Sequence, residues 1–286
     1  MLAIITDSTC DIPDALIEQY GIIVVSHYII WGEEQFKDRV TLQPKEFYRR
    51  YQKDTVRPTS AQASVQDFLD AIQTAITRGA TEAIVLTVSS AMSGAFQMAN
   101  QAAERADIPV SVIDSKGPTM SLGWQVLAAA RAREGGKTTA EIIEQVKKVR
   151  QNLVQIVAME SLEYLQTGGR IGEAAKWVGT VLKVRPVVAI NHEKGVVTPI
   201  GLARTHKAMV DMLYRKFFNG LTSTNHLRIA VLHGDALEEA QALAERIRME
   251  YHPEEILINI TGPVLGINTG PKALALCGYD APGGSF

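Results

Sequence analysis

Short apolar runs alternate with stretches of helical periodicity through the first half of the chain, which predicts strands and helices taking turns. Residues 2–5 and 22–25 read as strands around a helix over 11–20 that Gly21 closes. Phe47, Tyr48 and Tyr51 share the face of a short helix opening near Thr41 or Pro44. Ser64 and Asp67 form a capping-box pattern, and Val65, Phe68, Leu69, Ile72, Ala75 and Ile76 then fall on one helical face ending at Gly79. The unbroken apolar run 83–88 predicts a strand covered on both faces. A helix carrying Phe96, Ala99, Ala102, Ala103 and Ala106 follows, then a strand at 110–113 and helices at 120–133 and 139–152.

Near residue 153 the pattern restarts. Residues 154–159 predict a strand, 161–166 a helical turn and 173–183 a helix, while 187–190 and 196–199 predict a hairpin. Helix, strand, helix and strand follow over about 205–217, 228–232, 237–251 and 256–260, and a last strand is expected at 274–277. The expected fold class is α/β in two domains. Residues 1–152 would form a parallel, doubly wound sheet with helices, and residues 153–286 a mixed α/β unit.

Composition adds exclusions rather than a function. With 286 residues, 46% hydrophobic and 21% charged, the chain has ample material for two cores. A net charge of −2, without a basic stretch interleaved with aromatics, argues against nucleic acid as a partner. Cys10 and Cys277 alone supply neither a disulfide framework nor a thiolate metal site, which fits a reducing compartment. The first apolar run is too short for a signal peptide and no stretch reaches the roughly 20 residues of a spanning helix, so a cytoplasmic protein is expected. No spacing typical of metal ligands occurs, and neither metal nor cofactor is expected.

In a parallel sheet, ligands gather where strands end and helix amides point outward. The strand exits here are rich in hydroxyls: Thr6-Asp7-Ser8-Thr9, then Thr59-Ser60-Ala61-Gln62 before the capping box, then Ser89-Ser90-Ala91-Met92-Ser93-Gly94, then Asp114-Ser115. The turn at 89–94 suits a carboxylate or phosphate, because hydroxyls, free amides and a helix dipole converge there. The plainer alternative is that Ser90 and Ser93 only cap the helix. Ser93 as a nucleophile is disfavoured, since Ala91 replaces the first glycine of a nucleophile elbow and no histidine stands in context. Asp7 is expected to hold turn amides, and Asp11 to act as a helix N-terminal charge. Gly168-Gly169-Arg170-Ile171 would fix a guanidinium by a positive-φ turn, as a phosphate partner or merely a surface ion pair. Gly266-Ile267-Asn268-Thr269-Gly270-Pro271 reads as a tight loop offering two side-chain hydrogen bonds, or as a plain turn.

Taken in order, these motifs resemble the DegV family of bacterial fatty-acid-binding proteins over essentially the whole chain. The segments that carry the likeness are Thr6-Asp7-Ser8, Thr59-Ser60-Ala61-Gln62, Ser89-Ser90-x-x-Ser93-Gly94, Asp114-Ser115, Leu165-x-x-Gly168-Gly169-Arg170-Ile171 and Thr269-Gly270-Pro271. The resemblance implies a long-chain fatty acid as ligand, with the N-terminal domain holding its head group and the C-terminal domain enclosing its acyl chain. Ser60 and Ser93 would hydrogen-bond the carboxylate, with the amides of Ala61 and Gly94 nearby and Asn268 and Thr269 beside them. A separate kinase subunit would phosphorylate the bound acid to an acyl phosphate, with Arg170 serving phosphoryl transfer or docking. The chain departs from the family pattern at Ser60, Ala61, Asn268 and Lys272, where threonine, serine, histidine and glycine are usual. Leu265, Ile267, Met92, Trp177 and Phe96 are candidates for the acyl lining. The competing readings are a phosphotransferase or hydrolase acting on a small polar substrate, and a lipid-responsive regulatory protein.

Overall fold

The computed structural model describes residues 1–177 and 184–281. Strand β1 (Leu2–Asp7) runs into a 3-10 turn over Ser8–Cys10, and helix α1 spans Asp14–Gln19. The helix starts three residues later than the periodicity suggests, because Pro13 restrains the backbone before it and Asp11 takes a left-handed conformation with φ 49°. Asp11 is therefore not a helix N-terminal charge. Its carboxylate binds Arg39 and the amide of Gly262.

After β2 (Ile23–Val25) comes a small antiparallel sheet that the sequence pattern does not reveal. It consists of β3 (Tyr28–Trp31) and β4 (Glu34–Lys37), then, beyond α2 (Pro44–Tyr51), β5 (Thr59–Ala61). Gly32, at φ 63°, makes the β3–β4 turn. Ser60 thus lies on a strand of three residues. The rest of the first half follows the expected rhythm: α3 (Val65–Thr77) with its Ser64–Asp67 capping box, β6 (Glu82–Thr87), α4 (Ala95–Ala103), β7 (Val110–Asp114), α5 (Met120–Glu134) and α6 (Thr139–Asn152). The four-stranded sheet is all parallel in the order β2-β1-β6-β7.

The second half begins with β8 (Val154–Ala158) and α7 (Glu163–Thr167), followed by a 3-10 segment over Gly172–Trp177. The remainder of the helix expected over 173–183 lies outside the described residues. The predicted hairpin is β9 (Arg185–Asn191) and β10 (Val196–Ala203). Then come α8 (His206–Gly220), β11 (Leu227–His233), α9 (Leu237–Tyr251), β12 (Glu255–Ile260), α10 (Pro263–Thr269) and β13 (Leu274–Asp280). Residues 266–269, expected as loop, are helical: Pro263 opens α10 and Gly270, at φ 75°, ends it. The mixed sheet has the order β10-β9-β8-β13-β11-β12, so the last strand in sequence sits in its middle.

Helix α5 explains how the two sheets share a core. Residues 120–130 are all buried, and the helix packs against β1 and β6 on one side and β13 on the other. One apolar cluster accordingly runs from Ile4 and Ile84 through Leu127 to Val157 and Cys277. A helix buried all round, as over residues 120–130, has neighbours on every side.

Candidate functional site

A cavity opens between the carboxyl ends of β1 and β6 and the α5-facing side of the mixed sheet. It encloses about 940 Å³ of space between atoms, part of it open to solvent. Its two ends differ in chemistry. Thr9, His27, Ser60, Gln62, Ser93 and Arg170 line it from the strand exits and the turn after α7, with Thr261, Asn268 and Thr269 from the start and end of α10. Val157, Val188, Ile190, Val197 and Leu165 line its apolar stretch. Gln155, Val157 and Met159 alternate on the cavity side of β8 and its exit, spanning roughly 13 Å at the usual rise per residue. Among the described residues no cluster of side chains suits a metal ion.

The exits separate the serines that the sequence left together. Ser89 is buried and its hydroxyl donates to the carbonyl of Gly195 at 2.8 Å, tying β6 to the β9–β10 turn. Exposed Ser90 donates to Asp114. Only Ser93 lines the cavity, and its hydroxyl also accepts from the amide of Ala95 at 3.2 Å. Gly94, the residue before α4, packs against the side chain of Gln62; a Cβ there would lie 2.8 Å from Gln62 Nε2. Ser60 lines the cavity from β5, while Ala61 is exposed at the end of that strand. Ala61 and Gly94 thus flank lining residues without lining the cavity themselves.

Asn268 and Thr269 reach the cavity from the last turn of α10. The Asn268 amide donates to the carbonyl of Val264 at 2.8 Å, while its buried Oδ1 has no partner. The turn at 168–170 approaches so closely that a Cβ on Gly168 would stand 2.1 Å from that oxygen. Gly169 has the expected positive φ of 70°. Arg170, exposed at the cavity mouth, donates to Met92 O at 3.1 Å and Gly168 O at 2.6 Å, bridging the two halves of the chain. Of the candidate apolar residues, Met92 and Leu265 line the cavity; Ile267, Phe96 and Trp177 do not.

His27 is the site residue that sequence reasoning missed. It lies between β2 and β3, 3% exposed, and its Nε2 stands 3.6 Å from Asp7 Oδ1. Asp7 accepts from Thr9 N at 3.0 Å, Thr9 Oγ1 at 2.6 Å and Val88 N at 2.7 Å, which is the turn-holding role expected of it. Burial would raise its carboxyl, but the His27 charge and these hydrogen bonds hold it below the ordinary carboxylate range. Burial likewise opposes a charged His27, and the Asp7 carboxylate more than offsets it, so the imidazole is raised above its usual value. No local sequence signal marks this pair, since the partners lie 20 residues apart on different elements.

A second histidine makes a serine contact. Ser121 Oγ lies 2.8 Å from His192 Nε2 and also binds Gln155, whose amide donates to Thr119 Oγ1 at 2.8 Å. Burial pushes His192 down to about 4, and Ser121, fully buried, does not line the cavity.

Residues 1–280 match the family described as "Uncharacterised protein, DegV family". The chain is 30% identical over 285 residues to a DegV domain-containing protein of Clostridium acetobutylicum, covering 96% of each chain. Protein DegV of Bacillus subtilis is 28% identical over 278 residues, covering 96% of this chain and 98% of its own. A DegV family protein of Thermus thermophilus, described by its fatty-acid binding, superposes with TM-score 0.89 at 27% identity, covering 98% of this chain and 99% of its own. The solved structure of Bacillus subtilis DegV, described as a fatty-acid-binding protein, gives TM-score 0.88 at 26% identity over 98% and 99% of the two chains. Its α/β fold, with one parallel and one mixed sheet, is that of these structures, and the chain belongs to the DegV family.

Proposed function

We propose that the protein binds a long-chain fatty acid, with the acyl chain along β8 and β9 and the carboxylate at the strand exits. The observation that carries this reading is the cavity itself: an apolar stretch ending in hydroxyls, an arginine and a histidine. Burial of an acyl chain contributes about 0.8 kcal/mol per methylene, enough for tight binding after association costs. A buried carboxylate costs much unless donors replace its water. Ser60 and Ser93 supply hydroxyls, and the amides of Ala61 and Gly94, with Asn268 and Thr269, complete the set in this reading. The fatty-acid binding ascribed to the Thermus thermophilus and Bacillus subtilis relatives supports it.

The protein acts in this reading as a carrier, not a hydrolase. Ser93 accepts a hydrogen bond from a helix amide, and neither Ser121 nor His192, whose imidazole is depressed, lines the cavity. In this reading a separate kinase converts the bound acid to an acyl phosphate and engages Arg170, which is exposed at the mouth. Native mass spectrometry of protein from a bacterial host tests the reading. Bound masses matching fatty acids are expected, and delipidated protein should take up palmitate. An apo mass that ignores added palmitate and oleate overturns it.

A further inference from the structure

We propose that His27 is a further head-group residue of this cavity: its imidazolium, held by the buried Asp7 carboxylate, makes a charged contact with the anionic head of the bound lipid, so that ligand binding and His27 protonation are coupled. The proposal rests on the fatty-acid reading and adds to it a cation and a pH dependence.

The placement is rigid. The His27 amide donates to Ser8 Oγ at 3.1 Å, and its carbonyl accepts from Asp38 N at 2.9 Å. The β3–β5 ladder pairs Tyr28 with Ala61, which sets His27 beside Gln62 and Ser60 at the cavity wall. The ring lines the cavity, and its buried Nε2 has no hydrogen-bond partner among the described residues. The 3.6 Å to Asp7 Oδ1 is an ion-pair distance, too long for a hydrogen bond. A buried polar group without a partner is costly, and a ligand oxygen is the partner that this ring lacks.

The surrounding charges favour an anion there. Asp7 faces the ring from β1, Asp38 from the segment after β4, and Arg170 from the turn after α7. Asp7 accepts from two amides and a hydroxyl, and from 3.6 Å it charges the ring without serving as its hydrogen-bond acceptor. Asp38, which burial pushes up to about 6, is engaged by the Ser8 hydroxyl. The charge of Arg170 opposes that of His27 in the empty cavity. A carboxylate bound near both cations relieves that repulsion, and linkage requires that it then favour the protonated ring. Ser60 and Ser93 are neutral donors and give no such coupling.

Calorimetric titration of delipidated full-length protein with palmitate, between about pH 6.5 and 9, tests this against the usual imidazole range. Wild-type affinity should fall as pH rises through the His27 titration. His27→Gln should lose about tenfold in affinity at neutral pH and flatten the profile, as for a lost charge-assisted hydrogen bond. Ser93→Ala should weaken binding while keeping the slope. A His27→Gln protein with wild-type affinity and an unchanged profile overturns the proposal alone; a wild type that takes no palmitate overturns it together with the fatty-acid reading. Should His27→Gln not fold, nitrogen-15 histidine spectra of the wild type decide: palmitate should raise the His27 midpoint by at least about one unit, and an unmoved midpoint overturns the coupling.

Discussion

Asp7 and Asp11 lie four residues apart at the exit of β1, both fully buried and each within ion-pair reach of a cation. Asp11 grips Arg39 at 2.5 Å and accepts from the amide of Gly262 at 2.9 Å, while Arg39 also donates to the carbonyl of Ile260 at 3.0 Å. These contacts bind the first half of the chain to β12 and α10, and neither side chain lines the cavity. Asp7 instead binds turn amides on one side and leaves its cation, His27, facing the cavity without a hydrogen bond. The difference lies in what each pair meets. The Asp11–Arg39 pair is tied to the protein's own backbone at Gly262 and Ile260, and the Asp7–His27 pair meets the cavity.

The sharpest way to break this comparison is at Asp11. Asp11→Ala removes the ion-pair partner of the mostly buried Arg39 and should cost about 3–5 kcal/mol of stability in urea denaturation. A variant that kept wild-type stability and lost only palmitate binding would erase the distinction. Next is Ser93→Ala, which should weaken palmitate binding by about 1–3 kcal/mol in calorimetry. Unchanged affinity with a lowered Tm would reduce Ser93 to its bond with the Ala95 amide.

The pH dependence of stability separates the pairs further. His27 is raised from 6.5, so its contribution is complete below about that value and is lost as pH rises through the higher folded value. Asp7 is lowered from 3.8, so its contribution is present above that value and lost as pH falls through the lower folded one. Apo protein should therefore lose stability as pH rises from about 6.5 through the folded His27 value, by up to about 1.4 kcal/mol per pH unit within that transition. Urea denaturation of His27→Gln should lack this slope. The smallest effect is expected at Ser90, exposed and bonded to Asp114: Ser90→Ala should stay within about 0.5 kcal/mol of wild type and leave palmitate affinity unchanged.

The fold class was legible because apolar periodicity records which faces must be covered. The runs at 83–88 and 154–159 marked buried strands, and the Ser64–Asp67 box marked the start of α3 to the residue. The small β3–β4–β5 sheet was not, since strands of three or four residues give no period to read. Residues 266–269 of helix α10 were misread as loop because Gly266 and Gly270 flank them, although Pro263 opens the helix.

For the site, the sequence by itself determined the hydroxyl-rich strand exits, the Gly168–Arg170 turn and the family to which they belong. Strand exits are local, and a turn's residue types disclose its geometry. Only the tertiary structure decided which hydroxyls face the cavity, choosing Ser93 over Ser89 and Ser90, and only it brought His27 beside Asp7. The reason is physical. Burial and charge pairing belong to the space between elements, and a lone histidine carries no mark of the carboxylate it will meet.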